Sequence, residues 1–204
     1  MKFTFNIEAI KALVGECVGS FLFLYISLSS VSEGHVAIAL TFGLTIGVLV
    51  YYLADISGGH LNPAVSLALA ISGHIDPSKA LLYILSQVAG ASLGALTIYK
   101  TQDICGANSI NNFGAAFLGE IFGTFVLVST VYAVIRGKHE SGPFYIGLSV
   151  TIAHFALLHV DGCSINPART FASSLACGKW DDHWLFWLCP LVGGALAALV
   201  HKLS

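Results

Sequence analysis

Charge is scarce in this sequence. Only 10% of its 204 residues are Asp, Glu, Lys or Arg, against roughly 25% in a soluble globular domain. With 56% hydrophobic residues and a mean hydropathy of +0.81, the chain lacks the polar surface to cover itself in water. That excludes an ordinary soluble domain and makes a lipid bilayer the natural solvent. Lys and Arg number nine, form no basic block and leave a net charge of −2, so the electrostatic footprint of nucleic-acid binding is missing. The cysteines at 17, 105, 163, 177 and 189 contain no CxxC pair, which removes support for a zinc or thioredoxin-type site. No small-residue cleavage site follows the first apolar run, so the N-terminus reads as mature protein, not as a signal peptide. No nucleophile–base pair or metal-ligating cluster stands out. Neither an enzyme, a metal nor a cofactor is expected.

What the sequence has in abundance is apolar runs. About 20 apolar residues suffice to span a bilayer, and six stretches qualify: Ala9–Val31, Val36–Ala54, Ala80–Tyr99, Phe113–Ile135, Gly142–Val160 and His183–Val200. Two shorter stretches each open with Asn-Pro-Ala, from Asn62 to Ser72 and from Asn166 to Cys177. Neither is long enough to span. Asn at the N-cap and Pro at the first helical position make both good helix starts, so each is expected to be a half-helix that enters the membrane and stops. An N-terminus inside puts Lys2, Lys11, Lys79, Arg136, Lys138 and Lys202 on the cytoplasmic side, and leaves Lys100, Arg169 and Lys179 outside. The positive-inside rule therefore favours both termini in the cytoplasm.

The chain also matches itself at one offset. Asn62-Pro63-Ala64 recurs as Asn166-Pro167-Ala168, 104 positions on. The same offset relates Gly15-Glu16 to Gly119-Glu120, Gly43-Leu44 to Gly147-Leu148, and Gly58 to Gly162. A single channel domain over 1–204 is expected, built as an internal repeat of approximately 1–104 and 105–204. Three full spans per half invert the second copy relative to the first. Inverted repeats with broken helices hold their site near the midplane. Two half-helices meeting there would point their positive dipole ends at the bilayer centre. Irregular backbone at that depth must be buried or line a wet cavity, so a narrow aqueous pore follows, with Asn62 and Asn166 at its waist.

These motifs resemble the aquaporin (major intrinsic protein) family. The likeness runs from Gly15-Glu16 through His60-Leu61-Asn62-Pro63-Ala64-Val65 and Gly162-Cys163-Ser164-Ile165-Asn166-Pro167-Ala168-Arg169 to His183-Trp184 and Phe186-Trp187. It implies an all-α membrane fold of six tilted helices and two re-entrant half-helices, one pore per subunit, a homotetramer and residence in the plasma membrane. Carried over by spacing from the two asparagines, the family's outer constriction falls on Phe42, His154, Cys163 and Arg169. That set is typical of water-selective members. Glycerol-conducting members have Gly in place of the His and Asp after the Arg, where this chain has Thr170. His154 and Arg169 would narrow the opening and supply donors, Phe42 alone offers an apolar wall, and the Arg169 charge repels cations. The resemblance also implies that His60 lines the cytoplasmic approach.

Several residues carry two readings. Glu16 and Glu120 lie inside predicted spans, where a carboxylate is costly and a functional candidate. A proton relay is one role. Accepting from backbone N–H groups freed by the re-entrant loops is the other, and is preferred because the pair obeys the repeat and each half has one loop to hold. Cys163 is expected to line the pore and make it sensitive to mercurials. Cys105 and Cys177 fall in outer loops, where a disulfide between them is conceivable and left open, since sequence gives no distance. The pairs Gly15/Gly19, Gly43/Gly47, Gly90/Gly94 and Gly119/Gly123 are read as seams for close helix packing. The expected activity is passive water conduction. The alternatives are another small neutral solute (hydrogen peroxide, ammonia or glycerol) and a mainly structural or adhesive membrane protein of the same fold.

Overall fold

The computed structural model describes residues 4–137 and 140–203. Of the cations expected on the cytoplasmic side, Lys2 and Lys138 lie outside the described residues. Among the described residues all regular structure is helical: α1 (Ile7–Leu28), α2 (His35–Leu53), α3 (Pro63–Ile71), α4 (Pro77–Gln102), α5 (Phe113–Gly137), α6 (Gly142–Asp161), α7 (Pro167–Cys177) and α8 (Leu185–Leu203). Six of them, all but α3 and α7, have the length and apolarity to cross a membrane. At 1.5 Å per residue the 9-residue α3 and 11-residue α7 reach only about 14–17 Å, half of what a bilayer core requires.

The helix ends follow local chemistry. Asn6 Oδ1 accepts the Ala9 N–H at 2.9 Å, which starts α1 two residues before the expected Ala9. Asp76 Oδ1 accepts from Ser78 N ahead of Pro77, fixing the start of α4. Gly162 takes φ 82° and closes α6, its N–H donating to Leu158 O. The last span begins at Leu185 and not at His183, because residues 181–184 form a turn.

Polarity is inside out relative to a soluble protein. Val48, Phe122, Phe144 and Ile152 face outward, while Glu16, Gln87, Glu120 and Asp161 are fully buried. The long helices pack in pairs, α1 on α4, α2 on α6 and α5 on α8, and the half-helices fill the space between them, α3 against α4 and α8, α7 against α4. Glycines set the approach distances, in two ways. At Gly90 and Gly94 a Cβ would collide with the Cys17 and Phe21 carbonyls, and Gly43 and Gly147 each face the other's carbonyl. These are backbone seams of the expected kind. Gly19 and Gly123 differ: a Cβ there would meet the side chains of Leu53 and Leu61, and of Leu157 and Ile165. They make room for re-entrant loop residues, which helical spacing alone does not distinguish from a helix–helix seam.

Candidate pore and constriction

The two Asn-Pro-Ala segments meet N-terminus to N-terminus. Asn62 Oδ1 caps its own half-helix by accepting from Ala64 N at 2.9 Å, and Asn166 Oδ1 accepts from Ala168 N at 3.0 Å. Each side-chain amide then reaches across. Asn62 Nδ2 donates to Ile165 O at 2.8 Å, and Asn166 Nδ2 donates to Leu61 O at 2.9 Å. An amide carries two N–H groups, so each asparagine keeps one beyond this reciprocal clasp.

Leu61 and Ile165 hold the carbonyls of that clasp at φ 52° and 45°, left-handed values that cost a β-branched or bulky residue on the order of 1–3 kcal/mol. Buried carboxylates offset the cost. Glu16 accepts from His60 N (2.9 Å) and Leu61 N (2.8 Å), and also from Ser57 Oγ (2.6 Å) and Gln87 Nε2 (2.7 Å). Glu120 accepts from Ser164 N and Ile165 N, both at 2.7 Å. Glu120 thus repeats the two backbone contacts of Glu16 at the same offset of 104. Ser57 and Gln87 were not singled out in the sequence, although Ser57 stands 104 positions before Asp161. Asp161 Oδ1 accepts from Cys163 N at 2.8 Å, so this pair also serves one loop each.

A narrow cavity of about 50 Å³ runs past the asparagines. A single water needs roughly 10–15 Å³ of such space, so only a short file of waters fits. His60 stands at one end, its Nδ1 3.0 Å from Ser66 Oγ and its ring edge-on to Tyr83. His154 stands at the other. Val50, Val65, Leu127 and Val150 supply apolar wall between them.

At the His154 end, three of the four expected constriction residues converge. The Phe42 and His154 ring centroids are 4.4 Å apart, and Arg169 Cζ lies 5.4 Å from the Phe42 ring centroid. His154 Nδ1 is 2.9 Å from Val150 O. A carbonyl only accepts, so Nδ1 carries the proton; on the neutral ring Nε2 is a lone-pair acceptor, with no partner among the described residues. A neutral His154 presents an acceptor here, whereas the sequence reading has it supply a donor. Arg169 Nε is a donor with no partner among the described residues. Cys163, at φ 51°, is fully buried and adjoins this group in sequence through Gly162. The cavity walls do not include Phe42, Cys163 or Arg169.

The rest of the Arg169 guanidinium is tied down by residues that the sequence did not point to. Nη1 donates to Gly106 O and to Asn108 Oδ1 (2.7 Å), and Nη2 to Gly162 O (3.3 Å). Asn108 Nδ2 in turn donates to Asp161 O at 3.0 Å. Beside this strap, Cys105 and Cys177 form a disulfide with a Cα–Cα distance of 5.7 Å, the pairing that the sequence left open.

The model of one family, the major intrinsic proteins, matches residues 4–201. The chain belongs to that family. As a major intrinsic protein it has close relatives among channels named aquaporins. It is 38% identical to an aquaporin of PIP type from Atriplex canescens, the match covering 94% of this chain and 79% of that protein. It is 37% identical to aquaporin-1 of Canis lupus familiaris (94% and 80%) and 37% identical to aquaporin-2 of Homo sapiens (94% and 78%). Among solved structures, the aquaglyceroporin from Plasmodium falciparum superposes with a TM-score of 0.81 over 96% of this chain and 100% of that one, at 23% identity. That likeness carries the fold of this major intrinsic protein and nothing about its cargo.

Proposed function

We propose that this chain is a passive water channel, conducting water in single file down osmotic gradients while excluding protons and ions. The observation that carries the reading is the pairing of one free acceptor, His154 Nε2, with one free donor, Arg169 Nε, at the Phe42 constriction. Water both donates and accepts, so it can exchange its own partners for these two. Glycerol needs an apolar wall for its carbon face, and among the four filter residues only Phe42 provides one. The N-termini of α3 and α7 set two positive dipole ends at the pore waist, and Arg169 adds a full charge, which together oppose cations and protons. In this reading Phe42, His154, Cys163 and Arg169 form the selectivity filter, His60 lines the cytoplasmic approach, and Glu16 and Glu120 support the loops. Residues 1–104 and 105–204 are inverted repeats. The protein is a homotetramer in the plasma membrane with both termini in the cytoplasm. Hydrogen peroxide is the second reading, because it too pairs one acceptor with one donor.

The test is stopped-flow light scattering on proteoliposomes. An impermeant osmolyte should drive rapid shrinkage, and glycerol should give slow re-swelling. Mercurial block should be lost in Cys163→Ser. Shrinkage no faster than that of empty liposomes would overturn the water-channel reading, and rapid glycerol entry would overturn the filter assignment.

A further inference from the structure

The Cys105–Cys177 disulfide is placed to act on the constriction. Cys177 is the last residue of α7, and Arg169 is the third. Eight residues of helix, about 12 Å, separate the disulfide from the guanidinium. Cys105 begins the short segment that returns along this distance, since the next residue, Gly106, and then Asn108 accept from Arg169 Nη1. The segment is thus attached to both ends of α7, covalently at its C-terminus and by charged hydrogen bonds in its first turn.

The rest of the segment's anchorage is uneven. Downstream, Ser109 N donates to Asp161 O (3.2 Å), Asn111 N to Val160 O (2.9 Å) and Asn111 Nδ2 to His159 O (3.0 Å), which pins residues 108–111 to the end of α6. Upstream, Asp103 N donates to Tyr99 O and closes α4. Among the described residues, 104–107 make no backbone–backbone hydrogen bond. Ile104 packs on the core and Gly106 lies against Leu28. The disulfide is the covalent hold on the stretch that carries the Gly106 carbonyl.

We propose that the Cys105–Cys177 disulfide is a positioning clamp for the filter arginine, and that its reduction loosens the filter without closing the pore. The proposal rests on the reading of Arg169 as a filter residue. A dithiol supplies the two electrons and two protons that convert the bond to two thiols, and itself closes to a cyclic disulfide. The freed stretch then lets the Gly106 carbonyl leave Arg169, which remains held by Asn108 and Gly162 alone. A guanidinium so released occupies a wider range of positions, and the constriction admits larger neutral solutes.

The experiment uses the full chain in proteoliposomes before and after dithiothreitol, with reduction verified by mass. The glycerol-to-water permeability ratio should rise at least about tenfold, the lower end of what one hydrogen bond to a charged group is worth. Cys105→Ser/Cys177→Ser should reproduce that rise without reductant. In Arg169→Val the ratio should be high already and unresponsive to dithiothreitol, which a disulfide of merely structural effect would not predict. Alkylation of Cys163 by iodoacetamide after removal of the dithiothreitol, located by peptide mass, should accelerate once the bond is open. An unchanged ratio and unchanged Cys163 labelling after full reduction would overturn the clamp. If the oxidised protein passes no water, the channel reading fails instead, and the Cys163 labelling rate still decides the clamp.

Discussion

At the scale of single residues, what separates the two halves is how many donors converge on each buried glutamate. Glu16 accepts from two backbone N–H groups, a serine hydroxyl and a glutamine amide. Glu120 accepts from two backbone N–H groups. A glutamine in place of either carboxylate keeps one acceptor oxygen and turns the other into a donor facing donors. Each buried bond so lost costs about 1–3 kcal/mol. Glu16→Gln should therefore destabilise the protein more than Glu120→Gln, by at least about one such bond. Thermal unfolding of the two purified variants in the same detergent measures the order. Equal midpoints would mean that the two extra donors of Glu16 find other partners. Each carboxylate accepts from two successive backbone N–H groups of one loop, which favours the loop-holding reading over a proton relay.

At the scale of elements, the half-helices were legible in the sequence because their causes are local. Asn at the cap and Pro at the first turn declare a helix start within three residues, and the length of each apolar stretch declares that it cannot span. The Arg169 strap was not legible. Its parts, Gly106, Asn108 and the Cys105–Cys177 bond, lie 61 to 72 positions from their partners, in a segment with no periodicity to read. The C-terminal end of α7 carries a second such tie. Trp187 Nε1 donates to His183 Nε2 at 3.1 Å, and His183 Nδ1 lies 3.2 Å from Ser174 Oγ. An indole N–H only donates, so Nε2 must be unprotonated, and a neutral imidazole joins α7 to α8. Burial holds the His183 pKa below its ordinary value of 6.5. A group whose folded pKa is depressed takes up its proton more readily when unfolded, so its stabilising effect is complete above pH 6.5 and is lost as pH falls below it. The thermal midpoint should therefore drop between pH 7.5 and pH 5.5, and His183→Gln, which keeps an acceptor for Trp187, should show a smaller drop. An identical drop in both proteins would assign the pH dependence to other groups.

At the scale of the whole molecule, charge and covalent chemistry give independent arguments for one orientation. The lysines on one side are Lys100, in the last turn of α4, and Lys179, two residues beyond α7. Arg169, counted with them in the sequence, is buried and bonded to Gly106, Asn108 and Gly162, so it does not act as a loop charge. Lys11, Lys79, Arg136 and Lys202 stand on the other side, and removing Arg169 from the count sharpens the asymmetry on which the positive-inside rule depends. The disulfide lies on the cation-poor side, at the end of α7. Disulfides persist in oxidising compartments and are kept reduced in the cytosol, so the same side should face outward for a second reason. An impermeant reductant followed by an impermeant maleimide, both applied to intact cells, should therefore label Cys105 and Cys177. Epitope tags on the two termini should bind antibody only after permeabilisation. Finding Cys105 and Cys177 as free thiols in cells that had met no reductant, with the termini reachable from outside, would reverse the orientation. It would also place the Arg169 strap in the compartment where its covalent hold cannot last.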